Sequence, residues 1–386
     1  MDAGLTLIIM IGLIDLFADV TYEGGRSMIG QFLGSLGTHG GTITIIMGVS
    51  EFFGYMIRWF SGMIADRTRK YRLIIFIGYL LNMIALPLLS ISYSTSTMAL
   101  LIMLERCGRA LRIPARDVVV SYAAQSVGIG FGMSLREFFD QLGAIIGPML
   151  IAFVWYISHN YRVSFALLAI SAVVTMLFVY KVVSSATLRT FEQQSQKYIP
   201  VSRIHFSKSW WWFLAAVTSL GIATIDFQLL AYHIQHQGIM QAGSLAVLYG
   251  SGMAVTAVGT LIMGKLFDWY GPYSMIAILI LVSMYAPLVV YGGFSSCIIG
   301  IMLWSVLYSC HGSFLAALVT KLVTIDARAT AYGISGASLG VGWLVGSILR
   351  GFLYEYSLII MVSATLLFHV IAIILFSNSF RHLQAT

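Results

Sequence analysis

Asp15, Asp19, Glu23 and Arg26 recur every three or four residues within an apolar run from Leu5 to Leu36. At about 100° per residue, a helix would carry all four on one face. Three carboxylates beside one guanidinium are costly to keep ionised together, so one of them can take up and release a proton, as proton coupling requires. Permanent neutralisation by Arg26 and by arginines from other segments is the alternative. Gly24 and Gly25 offer a kink beside this stripe, and Tyr22 adds a ring and a hydroxyl.

A second stripe comprises Glu105, Arg109, Arg112 and Arg116, followed by Pro114 and Asp117, and a third segment holds Glu137 and Asp140. Farther along, Asp226 and His233 are seven residues apart, and Trp304, Tyr308 and His311 follow helical spacing. Histidine titrates near neutrality when unperturbed, so His233 is a candidate proton carrier, whereas His311 with Trp304 and Tyr308 reads as an aromatic wall. Arg350 and Glu355 read as a gate pair or a solvated edge. Expected proton-coupling residues are Asp15, Asp19, Glu23, Glu137, Asp140, Asp226 and His233. Expected solute contacts are Tyr22, Arg26, Arg109, Arg112, Trp304, Tyr308 and His311.

These side chains must be carried by elements that cross a membrane. Charged residues make up 10% of the chain against 59% hydrophobic ones, and mean hydropathy is +0.89. A water-soluble protein carries charge on about a quarter of its residues. Continuously apolar stretches such as Leu73 to Leu89 and Ile359 to Phe376 exclude the alternating pattern of a membrane barrel and leave helices. Twelve spans are expected near 5–36, 43–65, 71–93, 97–123, 128–157, 161–184, 209–236, 242–266, 273–292, 295–321, 327–355 and 357–379. The first is read as a retained span and not a cleaved signal. A charge at mid-bilayer costs roughly 2.5–3.5 kcal/mol, so each buried one needs a partner or water.

Orientation follows from the basic residues. Of the 22 Lys and Arg, thirteen fall in alternate loops or the C-terminal tail, and only Arg162 lies on the opposite side. Both termini are therefore expected in the cytoplasm, with the protein in the cell membrane. The net charge of +7 is explained by loops held against anionic lipid, and no nucleic-acid partner is expected. Counted inward from that boundary, Asp15, Arg109, Arg112, Glu137 and Asp140 lie at similar depth. The polar stretch 185–208 separates two six-span halves, 1–184 and 209–386.

The halves echo each other. Gly62 to Asp66 closes the second span as Gly264 to Asp268 closes the eighth, Gly132-Met-Ser134 returns as Gly333-Ile-Ser335, and Gly143-x-x-x-Gly147 as Gly342-x-x-x-Gly346. A duplicated unit suits two bundles around a central site. Gly62-x-x-x-Asp66-Arg67-x-Arg69-Lys70 resembles the first signature loop of the major facilitator superfamily, with Arg69 where glycine is usual; the second copy keeps Gly271 there. Gly143-x-x-x-Gly147-Pro148 is similar to the start of that family's proton-antiporter motif, without its trailing glycines.

The resemblance covers the whole chain and implies twelve helices in two bundles, alternating access, and a loop that steadies one conformation. It also makes the first, fourth and fifth spans neighbours, which would gather the charges at matched depth into one cluster. That cluster would either exchange partners during transport, protonation freeing an arginine for solute, or close a gate as a static network. The expectation is a monomeric, proton-coupled carrier of a small polar, charged or amphipathic organic solute, with export favoured by the partial motif. A uniporter or solute exchanger, or a membrane enzyme or sensor on the same fold, are the alternatives. There is no phosphate-binding glycine loop, zinc-protease helix or nucleophile elbow, so no cofactor, metal or enzymatic activity is expected. Cys107, Cys297 and Cys310 read as packing thiols.

Overall fold

A computed structural model describes residues 3–124, 129–194, 206–323 and 328–384, apart from some side chains within its helices. All regular structure among the described residues is helical. In chain order the helices are α1 (Ala3–Ser35), α2 (Gly40–Thr68), α3 (Tyr71–Leu88), α4 (Thr95–Ala123), α5 (Ile129–Ser158), α6 (Tyr161–Val183), α7 (Ala186–Gln194), α8 (Lys208–Ala223), α9 (Phe227–His236), α10 (Ala242–Tyr270), α11 (Ser274–Val282), α12 (Tyr285–Tyr291), α13 (Phe294–Leu322), α14 (Arg328–Tyr356) and α15 (Leu358–Gln384). Eleven segments are long and apolar enough to cross a bilayer. The twelfth expected span is α4, whose 29 residues would suffice in length but carry six charges between Glu105 and Asp117.

Three features depart from the expected spans. The seventh span is two helices, α8 and α9, with Thr224 and Asp226 extended between them. The backbone groups freed by that break are taken up by side chains: the Ile225 N–H donates to the Tyr285 hydroxyl (2.8 Å), and the Trp304 indole N–H donates to the Ile225 carbonyl (2.8 Å). Unpaired backbone would not survive in hydrocarbon otherwise. The ninth span is likewise divided into α11 and α12. The stretch 185–208, read as a plain linker, contains α7, tied down by Glu192, which accepts from the backbone N–H and the Nε of Arg72, both at 2.6 Å.

The chain forms two compact units, Met1–Leu36, Phe53–Ile199 and Ala242–Gly250 in one, and Gly37–Phe52, Pro200–Gln241 and Ser251–Thr386 in the other. In the first, α1 packs on α5 and α6, and α3 packs on α4 and α6. In the second, α8 packs on α14 and α15, and α12 on α13. The glycines of the repeated motif explain the matching pattern. A Cβ at Gly147 would meet the Gly24 nitrogen at 2.8 Å, and one at Gly346 would meet the Ile222 Cα at 2.7 Å. Small residues let helix backbones approach where lipid supplies no hydrophobic drive.

Candidate functional site

The α1–α5 approach sets Asp15, Asp19 and Glu23 against the arginines of α4. Asp15 is fully buried and receives four donors: the Tyr79 hydroxyl at 2.7 Å, Arg116 at 2.9 Å, Arg112 at 3.3 Å and Arg136 at 3.0 Å. Arg136 reaches on to Asp140 at 3.4 Å and to Glu137, and Arg116 pairs with Asp117 at 2.9 Å. A buried carboxylate is tolerated only when its attraction to such partners repays its lost hydration. The structure thus brings together Asp15, Arg112, Glu137 and Asp140, which the depth count placed at one level. Arg136, which bridges them, and Tyr79 were not among the expected residues. Arg136 stands four residues before Asp140 in an apolar run, an ion-pair spacing readable in the sequence; Tyr79 gave no such signal.

Arg109 belongs to a second group, centred on Tyr22. Its guanidinium carbon lies 3.7 Å from the centre of the Tyr22 ring, while the Tyr22 hydroxyl accepts from Arg26 at 3.2 Å and from Arg106. Glu23 lies 3.9 Å from Arg109 and 4.0 Å from Arg26, and accepts from the Tyr249 hydroxyl at 2.5 Å. Glu105, 3.7 Å from Arg106, also accepts from Asn82 at 2.7 Å.

Asp19 lies between the two groups. It is 2% exposed, and Asp140, Arg109, Glu23 and Arg112 are its electrostatic neighbours. No described residue comes within hydrogen-bonding or ion-pairing range of its carboxyl group, in contrast to Asp15 one turn away.

In the second unit, Asp226 stands at the start of α9, in the break. Its carboxylate accepts from the Trp343 indole at 2.7 Å and from Ser347 at 3.4 Å. Asp226 is thus the N-cap of the short helix α9 that carries His233, and not a position inside one continuous span-seven helix. Both nitrogens of the His233 ring are engaged, one with the Val290 carbonyl and one with the Tyr354 hydroxyl, each at 3.1 Å. A carbonyl only accepts, so Nε2 is the donor there, and in the neutral ring Nδ1 accepts from the tyrosine hydroxyl. Trp304 is buried and committed to the break, and so is not an open wall. Tyr308 and His311 complete a ring cluster with Trp343, centroids 5.8 to 6.2 Å apart, and the His311 Nε2 has no partner among the described residues. Arg350 and Glu355 do not pair. Arg350 is buried and donates to the Ile222 carbonyl, whereas Glu355 accepts from the Gly41 N–H at 3.0 Å.

The signature loop turns at Arg69, whose φ is +54°, and its second copy turns at Gly271, φ +67°. Arg67 is exposed and Arg69 donates to the Tyr71 hydroxyl at 3.2 Å; the Asp66 side chain lies outside the described ones. A Cβ on Gly62 would meet only Pro114, at 3.8 Å. In the span-five motif, Gly143 faces Leu16 and Asp19, and Pro148 faces Gly250 of α10.

A multi-helix membrane fold with a buried, largely paired charge network defines a membrane transport protein. The chain belongs to the Major Facilitator Superfamily, whose model matches residues 16–323. It is 31% identical over 378 residues to an uncharacterized protein of Mycobacterium tuberculosis, spanning 94% of this chain and 90% of that one. It is 23% identical over 371 residues to an uncharacterized transporter of the same superfamily from Methanocaldococcus jannaschii, spanning 90% and 88%. Among solved structures, the nucleoside transporter NupG superposes with a TM-score of 0.76 at 14% identity, over 97% of this chain and 99% of that one. A peptide transporter, POT, superposes with a TM-score of 0.76 at 13% identity, over 97% and 94%. At such identity these two likenesses establish the fold alone.

Proposed function

We propose that the protein is a proton-coupled secondary transporter of a small organic solute, working by alternating access, with Asp19 as the principal proton-carrying group. The observation that carries this reading is the contrast between Asp15 and Asp19. Four donors engage Asp15 and fix it in place. Asp19 is nearly as buried, 2% exposed, yet makes no hydrogen bond or ion pair with any described residue, and an ionised carboxylate held with so little water and no partner is costlier than the neutral acid. A neighbourhood of both signs lets a proton on Asp19 alter the pull on Arg109, a link between protonation and solute. Glu23, Glu137 and Asp140 each have a partner and serve as modulators of that field. No proton role is assigned to His233, whose nitrogens are both engaged.

In this reading the two bundles, 1–184 and 209–386, move about the linker 185–208 in a monomer, with both termini in the cytoplasm and lipid around the outer surfaces. The Lys and Arg asymmetry supports that orientation. Liposomes with purified protein and an internal pH dye test the proposal. A solute found by screening metabolites should change internal pH when added outside, and Asp19→Asn should transport it without that change. Solute movement indifferent to a collapsed pH gradient would make the protein a uniporter or exchanger.

A further inference from the structure

Arg109 is the least satisfied cation in the charge network. Its side chain is only 26% exposed, and a guanidinium carries five N–H donors, yet it makes no hydrogen bond to any described residue. Its one ion pair is long, 3.9 Å to Glu23, and the Glu23 carboxylate is already bonded to Tyr249 at 2.5 Å. Its guanidinium carbon lies over the Tyr22 ring, 3.7 Å from the centre, a cation–π contact that holds the group in place. A planar cation so held, with donors unspent, suits the fork by which arginine takes a carboxylate in two parallel hydrogen bonds.

Resting on the reading above, we propose that the solute presents an anionic group, a carboxylate or its equivalent, to Arg109, and that it binds together with the proton and not in exchange for it. The coupling follows from the groups around Asp19: Asp15 and Glu23 on its own helix, Arg109 and Arg112 on α4, Asp140 on α5. On α6, Ser171 donates its hydroxyl to the Phe17 carbonyl and Phe178 stacks on Phe17; on α3, Tyr79 engages Asp15; and on α10, Tyr249 engages Glu23. Ionised, Asp19 competes with an incoming anion for the field of Arg109 and repels it. Neutral, it does neither. Protonation of Asp19 and anion binding at Arg109 therefore favour each other, and the relation is reciprocal. Co-binding on one protein state drives both species in the same direction, which departs from the export expected from the span-five motif. Gly143 and Gly147 are already explained by the α1–α5 approach.

The test uses thermal unfolding of the full chain in detergent with three matched probes, benzoate, benzamide and benzamidinium, at about pH 6 and about pH 8, between which none of the three changes charge; a ligand raises stability only as it binds the folded state. Benzoate alone should raise the midpoint, more at the lower pH. In Asp19→Asn the benzoate shift should lose its pH dependence, and in Arg109→Gln it should vanish. Should Arg109→Gln fail to fold, Arg109→Lys, which keeps the charge without the fork, should at least halve the shift. Equal shifts for benzamide, no shift for benzoate, a larger benzoate shift at the higher pH, or an unchanged shift in the Arg109 variant would each overturn the proposal. Solute-driven pH changes in liposomes would persist if only the anion assignment were wrong, and would be lost if proton coupling itself were wrong.

Discussion

Arg69 and Gly271 take the same left-handed turn, φ +54° and +67°, at the matched position of the two signature loops. Glycine does so freely, whereas a side chain there costs roughly 1–2 kcal/mol. The internal repeat thus extends to a backbone conformation that one copy adopts against its residue type.

That asymmetry predicts opposite outcomes for exchange. Gly271→Ala should destabilise by about 1 kcal/mol, while Arg69→Gly should leave stability unchanged or raise it by up to about 1 kcal/mol, the strain relieved being partly offset by the unfolded-state freedom of glycine. Unfolding midpoints in detergent check both, and a fall for Arg69→Gly would contradict the strained turn.

Asp15 and Asp19 should respond differently to the same isosteric change. Asp15→Asn withdraws the charge from two buried arginines, Arg112 and Arg116, and from the partly exposed Arg136, and should cost about 3–5 kcal/mol. Asp19→Asn orphans no partner and should change stability by less than about 1 kcal/mol. Guanidinium unfolding or midpoint shifts measure the difference, and equal losses would remove the distinction between the two carboxyl groups.

The α1–α5 approach should tolerate no side chain at Gly143, where a Cβ would press on the Leu16 carbonyl and lie 3.0 Å from the Asp19 Cβ. Gly143→Ala should cost about 1–3 kcal/mol. Gly54→Ala is the control, since its Cβ would meet nothing closer than 3.8 Å, and should leave stability unchanged or raise it by up to about 1 kcal/mol.

At the break in the seventh span, Trp304→Phe deletes the side-chain donor on the Ile225 carbonyl. The expected loss is about 1–3 kcal/mol, the cost of a buried acceptor left unmet. Faster amide exchange at residues 224–226 would accompany it, and unaltered exchange would argue against that role.

The spans were legible because lipid demands long apolar runs, and those runs survive in the sequence almost residue for residue. The break between Ala223 and Phe227 was not. No proline stands there, and the donors that make it affordable, Tyr285 and Trp304, come from other spans. The charge cluster was partly legible: counting depth placed Asp15, Arg112 and Asp140 together correctly. It put Arg109 with them, although one turn rises only about 5.4 Å and Arg109 falls in the Tyr22 group instead. The bond from Arg136 to Asp15 is not legible in the sequence, because it is made between two helices.

The proton on Asp19 can be observed without knowing the solute. Infrared difference spectra between acid and neutral pH should show a protonated-carboxyl C=O band that disappears as pH rises, and that band should be absent in Asp19→Asn and present in Glu137→Gln. A wild-type spectrum with no titrating carboxyl band, or one that Asp19→Asn leaves intact, would contradict the assignment of the proton to Asp19.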